Sequence, residues 1–406
     1  MQRKQSRIVW LVVIIIAFFF LIDPFRLFTS RAMPQYRTND EMKEEMIEFF
    51  RSAPEGMRFV VELAENHDIV MLAASGYRNP QFVKQEVDFV ADLIPELQRA
   101  GVSLLGLEYA AKSDQDRIDA LLTDVNFDVQ LAREILFNHR VTAGYEEYVN
   151  LYRSAWAANR NLADDQEPFR IVALSDPPDY SLITRTQDVE NPEIMQQVLR
   201  DGPTDDQIAG SLIDLVSGGE AVVVFTEAQH AFTGFEQNNY TEAMTELGFE
   251  GARTAGNTLR ERFGDRVVMV AMHGPLEDSR PKSGYGYPLG GLIESTIGEL
   301  EPNQRTRGFL TAEFPLSDAP IISNVVQQNQ DPEILFSDYS DGYLILGRIA
   351  DYTPLTPISG FVTEETLDAA IAGFPGADPG TITVAQMNQF IADTAASMTD
   401  VFAAFK

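Results

Sequence analysis

The chain has no cysteine. Disulfides, thiolate metal ligands and an acylated lipoprotein N-terminus are therefore excluded. Histidine is scarce at four residues, and lysine supplies only six of the 31 basic side chains, against 61 acidic ones. The resulting net charge of −30 gives a surface that stays hydrated in high salt, or one that serves a cationic partner. It repels a phosphate backbone, which argues against nucleic acid as a partner. Internal repeats and low-complexity tracts are absent. So are the nucleophile elbow GxSxG, the phosphate loop GxxxxGK[ST], the zinc helix HExxH and a dinucleotide GxGxxG after the first strand.

The chain does contain one long apolar run, the 15 residues from Ile8 to Ile22, preceded by Arg3, Lys4 and Arg7. A spanning helix needs roughly 20 residues. Phe25, Leu27 and Phe28 extend the apolar surface past Asp23-Pro24. We read residues 1–32 as an uncleaved signal anchor holding the chain in a membrane through residues 8–22. Ser30-Arg31-Ala32 offers the competing cleavage site of a signal peptide. Basic residues lie on both sides, so their balance alone does not orient the span. The short N-terminal tail places the bulk of the chain in the periplasm or outside the cell.

Residues 33–56 are polar and charged, with a helix expected over Asp40–Ser52, and read as a stalk. Beyond them, β-branched runs alternate with amphipathic stretches. Strands are expected at Ile69–Ala73, Val102–Glu108, Phe169–Ser175, Ala221–Thr226, Arg266–Met272 and Tyr343–Gly347. Val83, Val87, Val90, Leu93 and Leu97 recur at three- and four-residue spacing, the period of a helix packed on one face. This alternation predicts an α/β fold, with one mostly parallel sheet and helices on both faces. The α/β domain is expected over residues 57–350, followed by a helical C-terminal extension over residues 351–406.

In open α/β sheets, ligands bind beyond the carboxyl ends of the strands. The residues expected there are Tyr77, Glu108 with Tyr109, Asp176, Glu227 with His230, and His273. Two imidazoles and a carboxylate form a donor set for a divalent metal, so Glu108, His230 and His273 are candidate ligands. The same groups also suit acid–base chemistry, with Glu108 and His230 as the catalytic pair. Plainer roles compete. Glu108 can cap the next helix, His273 before Gly274-Pro275 can close a turn, and His230 can be a buried, hydrogen-bonded core residue. His67 and His139 sit at helix ends and are assigned no chemistry.

Gly106-Leu107-Glu108, the helix that follows it, and Val223–His230 (VVFTEAQH) together resemble the superfamily of ChaN-like haem-uptake lipoproteins, Tiki-type metalloproteases and erythromycin esterases. The resemblance spans roughly residues 60 to 275. It implies roles for Glu108 and His230, and a metal or haem as cofactor. In that superfamily the first strand ends in Gly-Glu-x-His, whereas this chain reads Ala73-Ala74-Ser75-Gly76-Tyr77. Tyr77 stands near the lost histidine and supplies an oxygen suited to haem iron. With Tyr109, Asp176 and Glu227 it completes the expected ligand-binding set. Three functions follow: a membrane-tethered extracytoplasmic protein binding a small molecule, haem or metal on a degenerate scaffold; a metal-assisted hydrolase; or a noncatalytic envelope interaction module. Oligomeric state is not legible in the sequence.

Overall fold

The computed structural model describes residues 40–75, 83–160, 162, 166–277, 285–321, 334–374 and 382–405. Nine strands occur in this set. They are β1 (Ile69–Ala74), β2 (Leu104–Ala111), β3 (Arg170–Ser175), β4 (Val222–Glu227), β5 (Val267–Met272), β6 (Leu276–Glu277), β7 (Tyr285–Gly286), β8 (Arg307–Leu310) and β9 (Gly342–Ile345). Seven form one sheet in the order β3-β2-β4-β1-β5-β9-β8, while β6 and β7 make a separate small hairpin. All pairings in the large sheet are parallel except β8 with β9.

Strands β1, β2, β4 and β5 are buried along their whole length, as a sheet covered on both faces requires. Alternate residues serve the two faces. Val70, Leu72 and Ala74 join one core with the helices Lys84–Arg99 and Glu146–Asn159. Ile69, Met71 and Ala73 join the other, with the helices Thr204–Ser217 and Ala255–Phe263. The α/β reading and the five expected parallel strands through β5 are therefore present.

Three features go beyond the sequence reading. The helix Asp40–Ser52 is present but does not stand off the fold, because Met46 and Phe50 are fully buried in the second core. The C-terminal region is tied to the same body. Met387, Ile391 and Ala395 of the helix Val384–Ala403 enter the first core, and Tyr145 donates to the Ile391 carbonyl at 3.1 Å. Strand β8 was not expected. Among the described residues no helix is long and apolar enough to cross a membrane, and the apolar run 8–22 lies outside them.

Candidate functional site

The chain passes from β1 over β4 to β2 and β3, then returns to place β4 between β2 and β1. The carboxyl ends of β2 and β4 are thus neighbours at the middle of the sheet, where ligands of such folds gather. Gly106 sits where the packing of this region is tight. A Cβ there would stand 3.3 Å from side-chain atoms of both Leu174 and Val224. Past Leu107, the pairing of β2 with β3 breaks and resumes only at Ala111. This irregularity frees Glu108 and Tyr109 from the regular ladder, as bulges beside active sites do.

Glu108 is buried, and its Oε2 accepts from the Thr226 hydroxyl and the Glu227 N–H, both at 2.8 Å. Its Oε1 lies 3.6 Å from His230 Nε2. Glu227 ends β4 and is buried as well. Its Oε1 accepts from the Tyr109 hydroxyl at 3.5 Å, and its Oε2 accepts from Gln229 Nε2 at 2.7 Å. His230 sits one turn further on, in the short helix Ala228–Ala231. Its Nδ1 is 3.0 Å from Asp205 Oδ2, within ion-pair distance although not aligned for a hydrogen bond. Asp205 is fixed in turn, because its Oδ1 accepts the Ala255 N–H at 2.7 Å.

Burial opposes charge on His230, but the Asp205, Glu108 and Glu227 carboxylates outweigh it and push the imidazole up to about 10. Burial, reinforced by the Glu108 carboxylate, pushes Glu227 from the ordinary 4.5 up to about 7. One ligand atom each from Glu108, Glu227 and His230 lies within 4.8 Å of the others. This set fits a divalent cation. It offers two hard oxygens and an imidazole, with a carboxylate standing against the second ring nitrogen, the usual support of a metal-bound histidine.

Of the expected residues, Glu108, Tyr109, Glu227 and His230 come together. His273 does not join them, so the expected trio of Glu108, His230 and His273 is corrected: Glu227 is the third member. The strand order β2-β4-β1-β5 puts three inter-strand steps, about 14 Å at the usual spacing, between the ends of β2 and β5. His273 is instead fully buried among other partners, with Nδ1 2.9 Å from the Tyr343 hydroxyl and Nε2 2.9 Å from Glu294 Oε1. Asp176 is engaged by Ser113, accepting its N–H at 2.9 Å and its hydroxyl at 2.8 Å, so it fastens the turn after β2. Tyr77 lies outside the described residues.

The sequence reading passed over Asp205 and Arg140. Asp205 lies in the first turn of the helix Thr204–Ser217, where an acidic residue is ordinary. Arg140 follows the helix Val129–His139, and one of its terminal guanidinium nitrogens reaches to 4.0 Å from Glu227 Oε1. The only local signal was a charge set among Phe137, Val141 and other apolar residues.

No family model matches the chain, and no curated protein does. Among solved structures it resembles a succinoglycan biosynthesis protein, with a TM-score of 0.50 and 9% identity over 79% of this chain and 100% of that one. It is also similar to an erythromycin esterase mutant in its open conformation (TM-score 0.41, 11% identity, 71% of this chain and 92% of that one). A third likeness is to ChaN of Campylobacter jejuni with cofacial haem (TM-score 0.34, 12% identity, 52% and 84%). At 9% identity the likeness to the succinoglycan biosynthesis protein is one of fold.

Proposed function

We propose that the chain binds a divalent cation at Glu108, Glu227 and His230 and hydrolyses a small molecule there. The observation that carries this reading is the convergence of those three side chains, with Asp205 behind His230. A bound divalent cation supplies polarisation of a substrate oxygen and a lowered pKa for water. The protein's own groups do the rest. Asp205 stands 3.0 Å from His230 Nδ1, behind the ring. Glu108, anchored through Oε2, keeps Oε1 directed toward His230. Without the cation, burial beside Glu108 pushes the Glu227 carboxyl up to about 7, so it carries a proton that the cation would have to displace. Protons on His230 and Glu227 compete with the cation, so its affinity rises with pH.

The test is a calorimetric titration of the cation-stripped protein with Mn²⁺ and Zn²⁺ at pH 6 and pH 8. The proposal expects one site, tighter at pH 8, that weakens on His230→Asn. Absence of binding at both pH values overturns it. A binding-only role on the same scaffold is favoured by one feature: β1 is followed by Ser75, where the resembled superfamily has Gly-Glu-x-His. Turnover of model esters and amides by the loaded protein distinguishes the two. The haem alternative takes Tyr77 as the iron ligand, and a Tyr77→Phe variant that binds haem as tightly as the parent removes that role for Tyr77. We further propose that residues 8–22 tether the domain to a membrane, with the bulk outside the cytoplasm. Protease digestion of spheroplasts that spares the domain, under conditions that degrade it once the spheroplasts are lysed, overturns that placement.

A further inference from the structure

Arg140 is the loosely held cation of the site, ion-paired to Glu227 alone and only at the limit of that contact. Its guanidinium stands 4.0 Å from Glu227, beyond hydrogen-bond reach, and its side chain is 39% exposed while that of Glu227 is 5% exposed. Among the described residues no hydrogen bond is made to it. It is close enough to Glu227, Tyr180, Glu108 and Tyr109 to interact electrostatically with all four. Tyr180, in the turn that follows β3, feels the same positive charge. The neighbouring His139 is buried and held neutral, so Arg140 is not matched by a second cation on its own segment.

An arginine presents five donors in a planar fork that matches the oxygens of a carboxylate or a phosphate. A side chain placed only to neutralise Glu227 would be expected to close the last ångström and form the charge-assisted bond. Here the fork stays open beside the cluster. We infer that Arg140 forms an anion subsite next to the Glu108–Glu227–His230 site, and that the ligand carries a phosphate or carboxylate group. In this arrangement one oxygen of that group faces the cation position while another meets the guanidinium. The inference deepens the cation-site reading and takes its geometry from it, but the guanidinium acts with or without the cation.

The test uses the full-length protein in detergent, with inorganic phosphate and acetate as probes, each titrated calorimetrically into cation-stripped and Mn²⁺-loaded samples. The expected result is saturable binding of at least one probe that weakens tenfold or more in Arg140→Met and less in Arg140→Lys. Mn²⁺ affinity should be retained in Arg140→Lys, which keeps the charge beside Glu227, and the thermal midpoint should be retained in both variants. In the loaded sample, Arg140-dependent broadening of the phosphate ³¹P line places the anion beside the metal. Phosphate alone bound identifies a phosphorylated ligand, and acetate alone bound a carboxylate. If Mn²⁺ fails to bind but an Arg140-dependent anion still does, the cation reading falls and the subsite stands. Anion binding that is unchanged in Arg140→Met, or no binding of either probe in either sample, overturns the subsite.

Discussion

Glu108 Oε2 accepts the backbone N–H of Glu227 at 2.8 Å, so the carboxylate from β2 holds the residue that carries the second carboxylate. The same oxygen takes the Thr226 hydroxyl, leaving Oε1 as the atom turned to His230. A truncation at Glu108 therefore has two separable effects. Glu108→Ala strands a buried N–H and a buried hydroxyl and is expected to cost about 2–4 kcal/mol by urea unfolding. Glu108→Gln retains an acceptor and is expected to cost less than half of that, while lowering Mn²⁺ affinity at least tenfold.

The stability of the cation-stripped protein is expected to fall as pH rises, for a definite reason. The folded state binds the Glu227 and His230 protons more tightly than the unfolded chain does. Such a proton contributes stability in full below the unfolded value and loses it as pH climbs through the folded one. For Glu227 the window runs from 4.5 to about 7, and for His230 from 6.5 to about 10. Urea midpoints measured from pH 5 to pH 10 should decline, and His230→Asn should flatten the upper part of that decline. An unchanged slope in the variant contradicts the electrostatic account of the site.

Glu86 lies outside the acid cluster but obeys the same logic. It is fully buried in the helix Lys84–Arg99, accepts the Ser75 N–H at 3.0 Å with Oε1, and has no partner for Oε2. Burial raises its carboxyl to about 7. Glu86→Gln keeps an acceptor for Ser75 and removes the buried charge. It should stabilise the protein at pH 8 by an amount on the order of 1–3 kcal/mol and leave it unchanged at pH 5. Paired urea curves at the two pH values check this.

His273 should behave as a structural residue. Its removal takes a buried hydrogen-bond partner from the Tyr343 hydroxyl and one from Glu294 Oε1, which keeps the Ile349 N–H. His273→Ala is expected to cost about 3–5 kcal/mol of stability. Cation affinity of the folded fraction should stay within a factor of three of the parent's.

Phe50 tests whether residues before the first strand belong to the folded body. Its ring is fully buried and lies 5.8 and 5.9 Å from those of Phe309 and Phe314. Phe50→Ala is expected to lower stability by about 3–5 kcal/mol in denaturant titration. A change near zero would return this helix to the role of a stalk.

The central strands were legible in the sequence because each is a continuous apolar run, the pattern that burial on both faces imposes. Arg307-Gly308-Phe309-Leu310 was not, since only pairing with β9 makes that short edge segment a strand. The residues at strand ends were legible one by one, but their grouping was not. Placing His273 apart from Glu108 requires the order β2-β4-β1-β5, which long-range pairing decides and no local pattern carries. Asp205 and Arg140 reach the site from the ends of helices, where an acidic or basic residue has an ordinary explanation. The polar stretch before residue 56 read as a stalk because the apolar side of its helix is narrow, although Met46 and Phe50 fill the core.

The central claim is that Glu108, Glu227 and His230 form one cation site. Its most direct test is Mn²⁺ titration of the cation-stripped protein at pH 8, followed by electron paramagnetic resonance, on the parent and on Glu108→Gln, His230→Asn and His273→Asn variants. The account predicts one bound equivalent in the parent and in His273→Asn, and at least tenfold weaker binding in the other two. No stoichiometric binding in the parent, or binding that survives the combined Glu108→Gln, His230→Asn change, would contradict it.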